Sequence, residues 1–463
     1  MLYANFYLIY NNKSKKIIRV MMKMKRLTFK KGIHPKEFKQ ITENLEIKEV
    51  PVPPKIIIPI RQHIGAPLNP VVKKGDRVKT GQIIADSEAF VSAPVHSSCT
   101  GIVKNIGDYP TPLSPSDTCI EIETEEKEEF DFDLNSNIDY KSLSKQEILK
   151  LIRRAGIVGM GGAAFPAAVK FTPPKDIHID TVILNGCECE PYLTSDYRTM
   201  LEFPEKILEG LKIIMRAAEA ERGIIGIEDN KPDAIEKMSQ LADNESKINV
   251  QAVKTKYPQG AEKMLVSALT GRKIPPGALP FSIGVVVSNV GTAAAIYDAV
   301  VKNIPLYKRV LTITGEVLEN PANLLVRVGT PFSFLFDYIG GFSDEVTKLI
   351  LGGPMMGIAQ FTPDVGITKA TSGILVMGKR RVGKEFNCIN CAECVNHCPM
   401  FLVPTKIVRF AKSEIWDKAE DYGAMNCIEC GSCSYMCPSN IPLVHWIRVA
   451  KSKITEIKKS SGK

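Results

Sequence analysis

Between residues 55 and 122, apolar residues come in short runs broken by Gly, Asp and Pro. Lys55-Ile56-Ile57-Ile58-Pro59-Ile60, Val71-Val72-Lys73-Lys74-Gly75-Asp76-Arg77-Val78 and Gly81-Gln82-Ile83-Ile84-Ala85 predict short strands joined by tight turns. The expected product is a compact β-sandwich or barrel. Glu121 to Asp133 is an acidic run, which reads as a solvated linker and a domain boundary. Ser144-x-x-Glu147 then forms a capping box, and Ile148, Leu151, Ile152 and Ala155 follow at helical spacing up to Gly156. From Thr181 to Val301 the period alternates. Strands are predicted at 181–184, 223–227 and 283–287, and helices at 204–221, 234–241, 260–270 and from Thr292. Such alternation predicts an α/β unit around a mainly parallel sheet. Lys308 to Gly341 returns to β character, and from about Gly383 short helices surround cysteines.

Composition adds boundaries to this picture. The 463 residues have room for about three domains, and 44% hydrophobic with 24% charged residues is ordinary for a globular protein. Residues 1–31 hold nine basic side chains and no acidic ones, which accounts for the whole net charge of +9. The rest of the chain is balanced, so no nucleic-acid partner is expected. Ser282 to Ala295 is the most apolar stretch, and its Ser, Gly, Asn and Thr residues leave it short of the ~20 apolar residues of a membrane span. The leading segment lacks the charge order of a secretory signal, and Met24 is a second candidate start, since Lys25-Arg26-Leu27 leads into ordered-looking sequence.

Eight of the twelve cysteines lie between 388 and 437. Cys388-x2-Cys391-x2-Cys394-x3-Cys398-Pro399 is repeated as Cys427-x2-Cys430-x2-Cys433-x3-Cys437-Pro438. Clustering of this kind is a metal pattern of a reducing, cytoplasmic compartment. Three closely spaced thiolates wrap one corner of a cubane, and the cysteine before Pro reaches the other cluster. The expected sets are Cys388, Cys391, Cys394 and Cys437 for one [4Fe-4S] cluster, and Cys398, Cys427, Cys430 and Cys433 for the other. Two structural zinc sites are the rival reading, but zinc gives little reason for a doubled four-cysteine run.

Gly159-Met160-Gly161-Gly162-Ala163-Ala164-Phe165-Pro166 follows a helix, whereas a dinucleotide fingerprint follows a strand. Its glycines let backbone approach a flat or phosphorylated ligand. Asn185-Gly186-Cys187-Glu188-Cys189-Glu190-Pro191 comes directly after a buried strand, where α/β ligands sit. Cys187 and Cys189 could ligate metal, although no further Cys or His lies nearby in sequence.

The chain resembles the RnfC family, the C component of the Rnf electron transport complex, from about Lys25 to the cluster segment. The motifs that carry the resemblance are His34-Pro35-x-Glu37, Gln62-His63-x-Gly65-Ala66-Pro67, the glycine loop, Asn185 to Pro191, Tyr257-Pro258-x-Gly260-x-Glu262 and the doubled cysteine runs. The α/β part is also similar to the NADH-binding flavoprotein of respiratory complex I, which binds FMN and NADH. Residues 74–82 with the strands at 93–103 resemble biotinyl and lipoyl carrier domains, but the hairpin tip Ser87 to Val91 has no lysine for a swinging arm.

The resemblance implies a multidomain α/β protein. Its expected parts are a basic extension (1–30), a carrier-like barrel-sandwich hybrid domain (31–125) and an acidic linker (126–140). A Rossmann-like FMN/NADH-binding domain (141–305), an SLBB-type β-grasp domain (306–345) and a β-rich connection (346–384) follow. An α-helical ferredoxin-like domain with two [4Fe-4S] clusters (385–463) ends the chain. For FMN the resemblance implies Gly159, Gly161, Gly162 and Lys170, then Asn185, Glu188 and Gly260, with Asn289 and Thr292 on the phosphate side. For NADH it implies Phe165, Tyr257 and the catalytic positions Glu190 and Glu262. Met160 stands where complex I has arginine, and Cys187 and Cys189 replace an acidic and a hydroxyl residue.

The implied function is that of an NADH-linked oxidoreductase component, peripheral on the cytoplasmic face of the cell membrane. It would exchange electrons between NAD(H) and, indirectly, ferredoxin, through FMN and two clusters, as part of an ion-translocating membrane complex. A cobalamin reductase of a microcompartment and a non-catalytic electron-relay scaffold are the alternatives.

Overall fold

The computed structural model describes residues 26–174, 176–379 and 383–460. Most of the basic leading stretch and the Met24 start lie outside the described residues.

The predicted barrel forms. Lys55–Pro59, Ser114–Thr124, Gly101–Thr111 and Arg77–Val78 make one sheet, and Asn69–Pro70, Ile83–Asp86 and Val95–His96 make a second. Alternate residues of the facing strands, among them Ile56, Ile58, Val103, Ile120 and Ile122, fill the space between them. The hairpin tip carries Phe90 at 68% exposure. Arg153 tethers its base, donating to Asp86 Oδ1 (2.8 Å), the Ser87 carbonyl (2.6 Å) and Ser92 Oγ (3.1 Å).

The central unit starts with helix α1 (Lys145–Arg154), whose capping box of Ser144 and Glu147 forms as expected. Strand β1 (Thr181–Gly186) is followed by α2 (Ser195–Glu202), α3 (Pro204–Ala218), β2 (Arg222–Glu228), α4 (Pro232–Ala242) and β3 (Ile248–Val253). Helix α5 (Glu262–Thr270), β4 (Val285–Asn289) and α6 (Val290–Val301) complete it. All four strands run parallel in the order β3-β2-β1-β4. The α2 helix and β3 strand have no counterpart in the sequence reading: α2 offers only Tyr197, Met200 and Leu201 as apolar positions, and the short β3 interleaves its apolar residues with Asn249 and Gln251. Helix α3 stops earlier than Glu221 because Glu219 takes a left-handed conformation with φ 54°. At Gly210 the backbone of α6 comes so near that a Cβ would lie 2.0 Å from the Ala293 carbonyl oxygen, so glycine is required there.

The third sheet departs from the expected boundaries. It has six strands, ordered Ile47–Glu49, Ala322–Arg327, Lys308–Thr314, Gly373–Gly378, Val346–Leu351 and Ile358–Gln360. Helix Phe332–Tyr338 packs Phe332, Leu335 and Phe336 into the same core. Residues 346–378, read as a connection, therefore supply half of this sheet, since Gly373–Gly378 inserts beside Lys308–Thr314 and buries Ile374 and Val376. Ile47–Glu49 also leaves the barrel to pair with Ala322–Arg327. Residues ahead of it strap across the central unit, with backbone bridges Leu27 to Val253 and Ile33 to Tyr257.

The acidic run is not a free linker. Glu128 accepts from the buried Arg327 guanidinium at 2.9 Å, Glu125 and Glu129 pair with Arg77, and Phe132 packs on Tyr307. Arg77 and Arg327 on neighbouring elements hold Glu125, Glu128 and Glu129 down, while Glu126, Asp131 and Asp133 stay exposed.

Around the cysteines, helices Pro404–Lys412, Trp416–Asp421 and Ser432–Tyr435 pack on Leu443–Ser460, and Glu393–Asn396 packs on Pro404–Lys412 and Ser432–Tyr435. Ile407, Val408, Leu443, Ile447, Ala450 and Ile454 form the core of this region.

Candidate functional site

The strand order places β1 and β4 side by side, with Asn185 and Asn289 paired in register at their carboxyl ends. The chain runs from β1 to β2 and β3 on one side and returns to β4 on the other, so this edge is a topological switch point. Asn289 caps α6: its Oδ1 accepts from Gly291 N (2.8 Å) and Thr292 N (3.3 Å). Thr292 Oγ1 accepts from Met160 N at 2.9 Å, which ties the glycine loop to the same helix end. A Cβ on Gly161 would fall 2.7–2.9 Å from the Asn289 side chain, whereas one on Gly162 would meet open space. Among the loop glycines, Gly161 is thus the one that the protein's own packing requires. Phe165 closes the loop through its carbonyl, which accepts from Gly159 N at 2.9 Å.

Beyond β1 the chain makes a tight loop. Asn185 Nδ2 donates to the Gly260 carbonyl (2.8 Å), and its Oδ1 accepts from Cys187 N (3.1 Å). Glu188, with φ 48°, turns its carboxylate onto the amino end of α2, accepting from Asp196 N (2.8 Å) and Tyr197 N (3.1 Å). Glu190 accepts from Met355 N (3.2 Å), Met356 N (2.9 Å) and Tyr257 Oη (3.4 Å). Burial pushes its carboxyl up to about 7, and those donors oppose the shift. Lys170 pairs with Glu262 at 2.9 Å. The expected residues therefore converge in two groups at one sheet edge: the glycine loop with Asn289 and Thr292, and Asn185, Glu188 and Glu190 with Tyr257 and Gly260.

Several residues that hold this edge were not anticipated. Lys39 is buried, and its ammonium donates to the carbonyls of Glu188 (2.8 Å), Glu190 (3.0 Å) and Leu193 (2.6 Å). Burial lowers its pKa, and the nearby Glu188 carboxylate opposes that. The buried Lys231 ammonium donates to the Cys187 carbonyl at 2.7 Å. Asp196 accepts from Asn289 Nδ2 at 2.6 Å. A lone lysine or aspartate carries no local signature; only His34-Pro35-x-Glu37, just ahead of Lys39, marked that segment. Lys39→Met would strand three carbonyls at once. It is expected to lower stability by about 2–5 kcal/mol, read as a fall in Tm, whereas Lys48→Met on the exposed strand should stay within about 0.5 kcal/mol.

The cysteines separate into two groups, one of which lines a hollow. Cys388, Cys391, Cys394 and Cys437 line it, together with Thr405, Pro438 and Leu443. Cys398 stands with the other three: burial raises the pKa of Cys427, Cys430 and Cys433, and Cys398 adds to each rise. Among the described residues no three His, Cys, Asp or Glu side chains meet closely enough to hold a single metal ion, Cys187 and Cys189 included. Thiols spread around a hollow suit a multi-atom cluster, whose own iron and sulfide fill the gap. The two sets face differently. Cys430 packs with Ile33, Tyr257 and Met355, and a Cβ on the adjoining Gly431 would lie 2.9 Å from the Met355 carbonyl oxygen. Cys388 and Cys391 are exposed, with Ile389 between them at 68% exposure.

Family profiles match this layout along the chain. Residues 27–127 match the RnfC Barrel sandwich hybrid domain and 152–298 the Nuo51 FMN-binding domain. Residues 310–359 match the SLBB domain and 387–441 the 4Fe-4S dicluster domain. The C component of the proton-translocating ferredoxin:NAD(+) oxidoreductase complex of Clostridium ljungdahlii is 49% identical, over 85% of this chain and 86% of its own. The C component of the Na(+)-translocating ferredoxin:NAD(+) oxidoreductase complex of Acetobacterium woodii is 46% identical, over 87% and 92%. Among solved structures, an NAD+-reducing [NiFe]-hydrogenase chain superposes with a TM-score of 0.47 at 16% identity, over 68% of this chain and 66% of its own.

Proposed function

The chain belongs to the RnfC family of ion-translocating oxidoreductase complexes, and from that premise we propose an electron path between NAD(H) and ferredoxin that enters at the β1–β4 edge and leaves through the exposed cysteine set. It is an electron-transfer component of an oxidoreductase, with FMN and two [4Fe-4S] clusters. FMN supplies the exchange between two-electron hydride chemistry and one-electron carriers. Gly159, Gly161, Gly162, Lys170, Asn185, Glu188 and Gly260 would hold the flavin, with Asn289 and Thr292 at its phosphate. Phe165, Glu190, Tyr257 and Glu262 would position NADH. Glu190, whose carboxyl is poised near neutrality, can hold a proton beside that site. No helix among the described residues is long and apolar enough to cross a membrane, which suits a peripheral place on the cytoplasmic face.

The observation that carries the path is the asymmetry of the two cysteine sets. Cys430 is packed on Tyr257, one of the residues expected to position NADH beside the flavin, while Cys388 and Cys391 face solvent. Cys398, Cys427, Cys430 and Cys433 would thus hold the cluster nearer the flavin, and Cys388, Cys391, Cys394 and Cys437 the one that exchanges single electrons at the surface. Rapid mixing of the anaerobic protein with NADH, followed by visible and EPR spectroscopy, tests this order. In Cys433→Ala the flavin should still be reduced, while reduction of the Cys388 set slows at least about tenfold. An unchanged rate at the Cys388 set would reverse the order. A flavin that NADH never reduces, with FMN bound, would favour the relay scaffold instead.

A further inference from the structure

Asp196 lies in the first turn of α2, partly buried, with its carboxylate against the amino end of α6. Its Oδ2 accepts from Asn289 Nδ2 at 2.6 Å, and this bond decides which way the Asn289 amide faces. With the NH2 group held by Asp196, the amide oxygen is left to cap Gly291 N and Thr292 N. A Cβ on Gly291 would lie 3.7 Å from Asp196 Oδ1, so the carboxylate stands beside the helix end itself. An anionic side chain there complements the positive end of α6.

We propose that Asp196 is a positioning residue of the flavin site, orienting Asn289 and taking up a proton when the flavin phosphate arrives at the amino end of α6. The inference rests on the placement of that phosphate given above. A phosphate carrying close to two negative charges is drawn to a helix amino end. Placed beside an ionised Asp196 it would be repelled, and protonation of the carboxylate relieves the repulsion. The proton comes from water and forms one O–H bond on the carboxyl group; the other oxygen keeps the Asn289 bond. The surroundings make this step easy. Withdrawal from water and the neighbouring Glu188 carboxylate push the Asp196 carboxyl up to about 7, while Asn289, Arg309 from the third sheet and Lys39 from the N-terminal strap oppose the shift. Glu188 is committed to the α2 amides, which leaves Asp196 as the member of the pair that accepts the proton.

The test is a binding titration on the full chain with its clusters in place and its flavin removed, using FMN and riboflavin from pH 6.5 to 8.5. Wild-type protein should bind FMN roughly tenfold more tightly at the lower pH, since one pKa unit of coupling is a tenfold change in affinity, and riboflavin with less than about twofold dependence. Asp196→Asn keeps an acceptor for Asn289 without the charge. It should bind FMN at every pH as tightly as wild type does at pH 6.5, a result that loss of structure could not produce. An FMN slope that survives in Asp196→Asn, or weaker binding at all pH values, would overturn the role of Asp196. Equal affinities for FMN and riboflavin, with no effect of Thr292→Val on either, would instead overturn the placement of the phosphate, and the proposal with it.

Discussion

Cys437→Ala is expected to empty the site formed with Cys388, Cys391 and Cys394, and to spare the cluster held by Cys427, Cys430, Cys433 and Cys398. Bound iron should fall by roughly half, because each cubane carries the same number of irons. Cys437 belongs to the second run by sequence, yet it lines the same hollow as the first three cysteines. Cys398, in turn, sits among the second run's thiols, where it adds to the upward shifts of Cys427, Cys430 and Cys433. The variant should keep its fold elsewhere, since the core of Ile407, Leu443 and Ile447 does not depend on that sulfur. NADH should still reduce the flavin, and turnover with a one-electron acceptor drawing from the exposed set should drop at least about a hundredfold. EPR of the reduced variant decides the matter. Loss or conversion of the Cys388 signal is the expected result; loss of the Cys427 signal would mean that each run keeps its own cluster.

Gly161→Val should remove flavin and leave the iron chromophore unchanged. The new side chain would start 2.7 Å from Asn289 Nδ2 and 2.9 Å from its Cβ and Cγ. Asn289 cannot swing aside cheaply, because Asp196 holds its nitrogen and α6 its oxygen. Relief has to come from the loop, whose Met160 amide would then leave Thr292 Oγ1. Overpacking of this kind costs about 1–3 kcal/mol, or roughly 5- to 150-fold in FMN affinity. Gly162→Ala is the matched control, since its Cβ would meet nothing within 4 Å inside the protein. Retention of FMN by Gly161→Val at wild-type affinity would take the glycine loop out of the site. Equal loss in the Gly162→Ala control would show that the ligand, rather than Asn289, fills the space above the loop.

Much of the chemistry was legible before the fold because it depends on residues close together in sequence. A cubane corner needs three thiolates with two residues between each pair, and the capping box needs Ser144 and Glu147 within one turn. The barrel and the parallel sheet could be read from period, and Asn185 from its place directly after a buried strand, whereas the switch point that pairs it with Asn289 appeared only with the strand order. Boundaries were less legible. The six-stranded sheet takes Ile47–Glu49 from the start of the chain and Gly373–Gly378 from beyond the predicted domain, and neither strand has a turn signal that names its partner.

Sequence alone thus determined the cysteine triplets, the capping box and the glycine loop, since each is a feature of near neighbours whose geometry the backbone imposes. Tertiary structure decided what those parts face. Lys39 reaches carbonyls about 150 residues away, the acidic run finds Arg77 and Arg327, and Asp196 finds Asn289 across the mouth of the sheet. Charges of this type show no periodicity, and their partners are chosen only when burial makes an unpaired group too costly to keep. The proposed order of the electron path rests on the same kind of contact: two near-identical cysteine runs become different because packing sets Cys430 against Tyr257 and leaves Cys388 open to water.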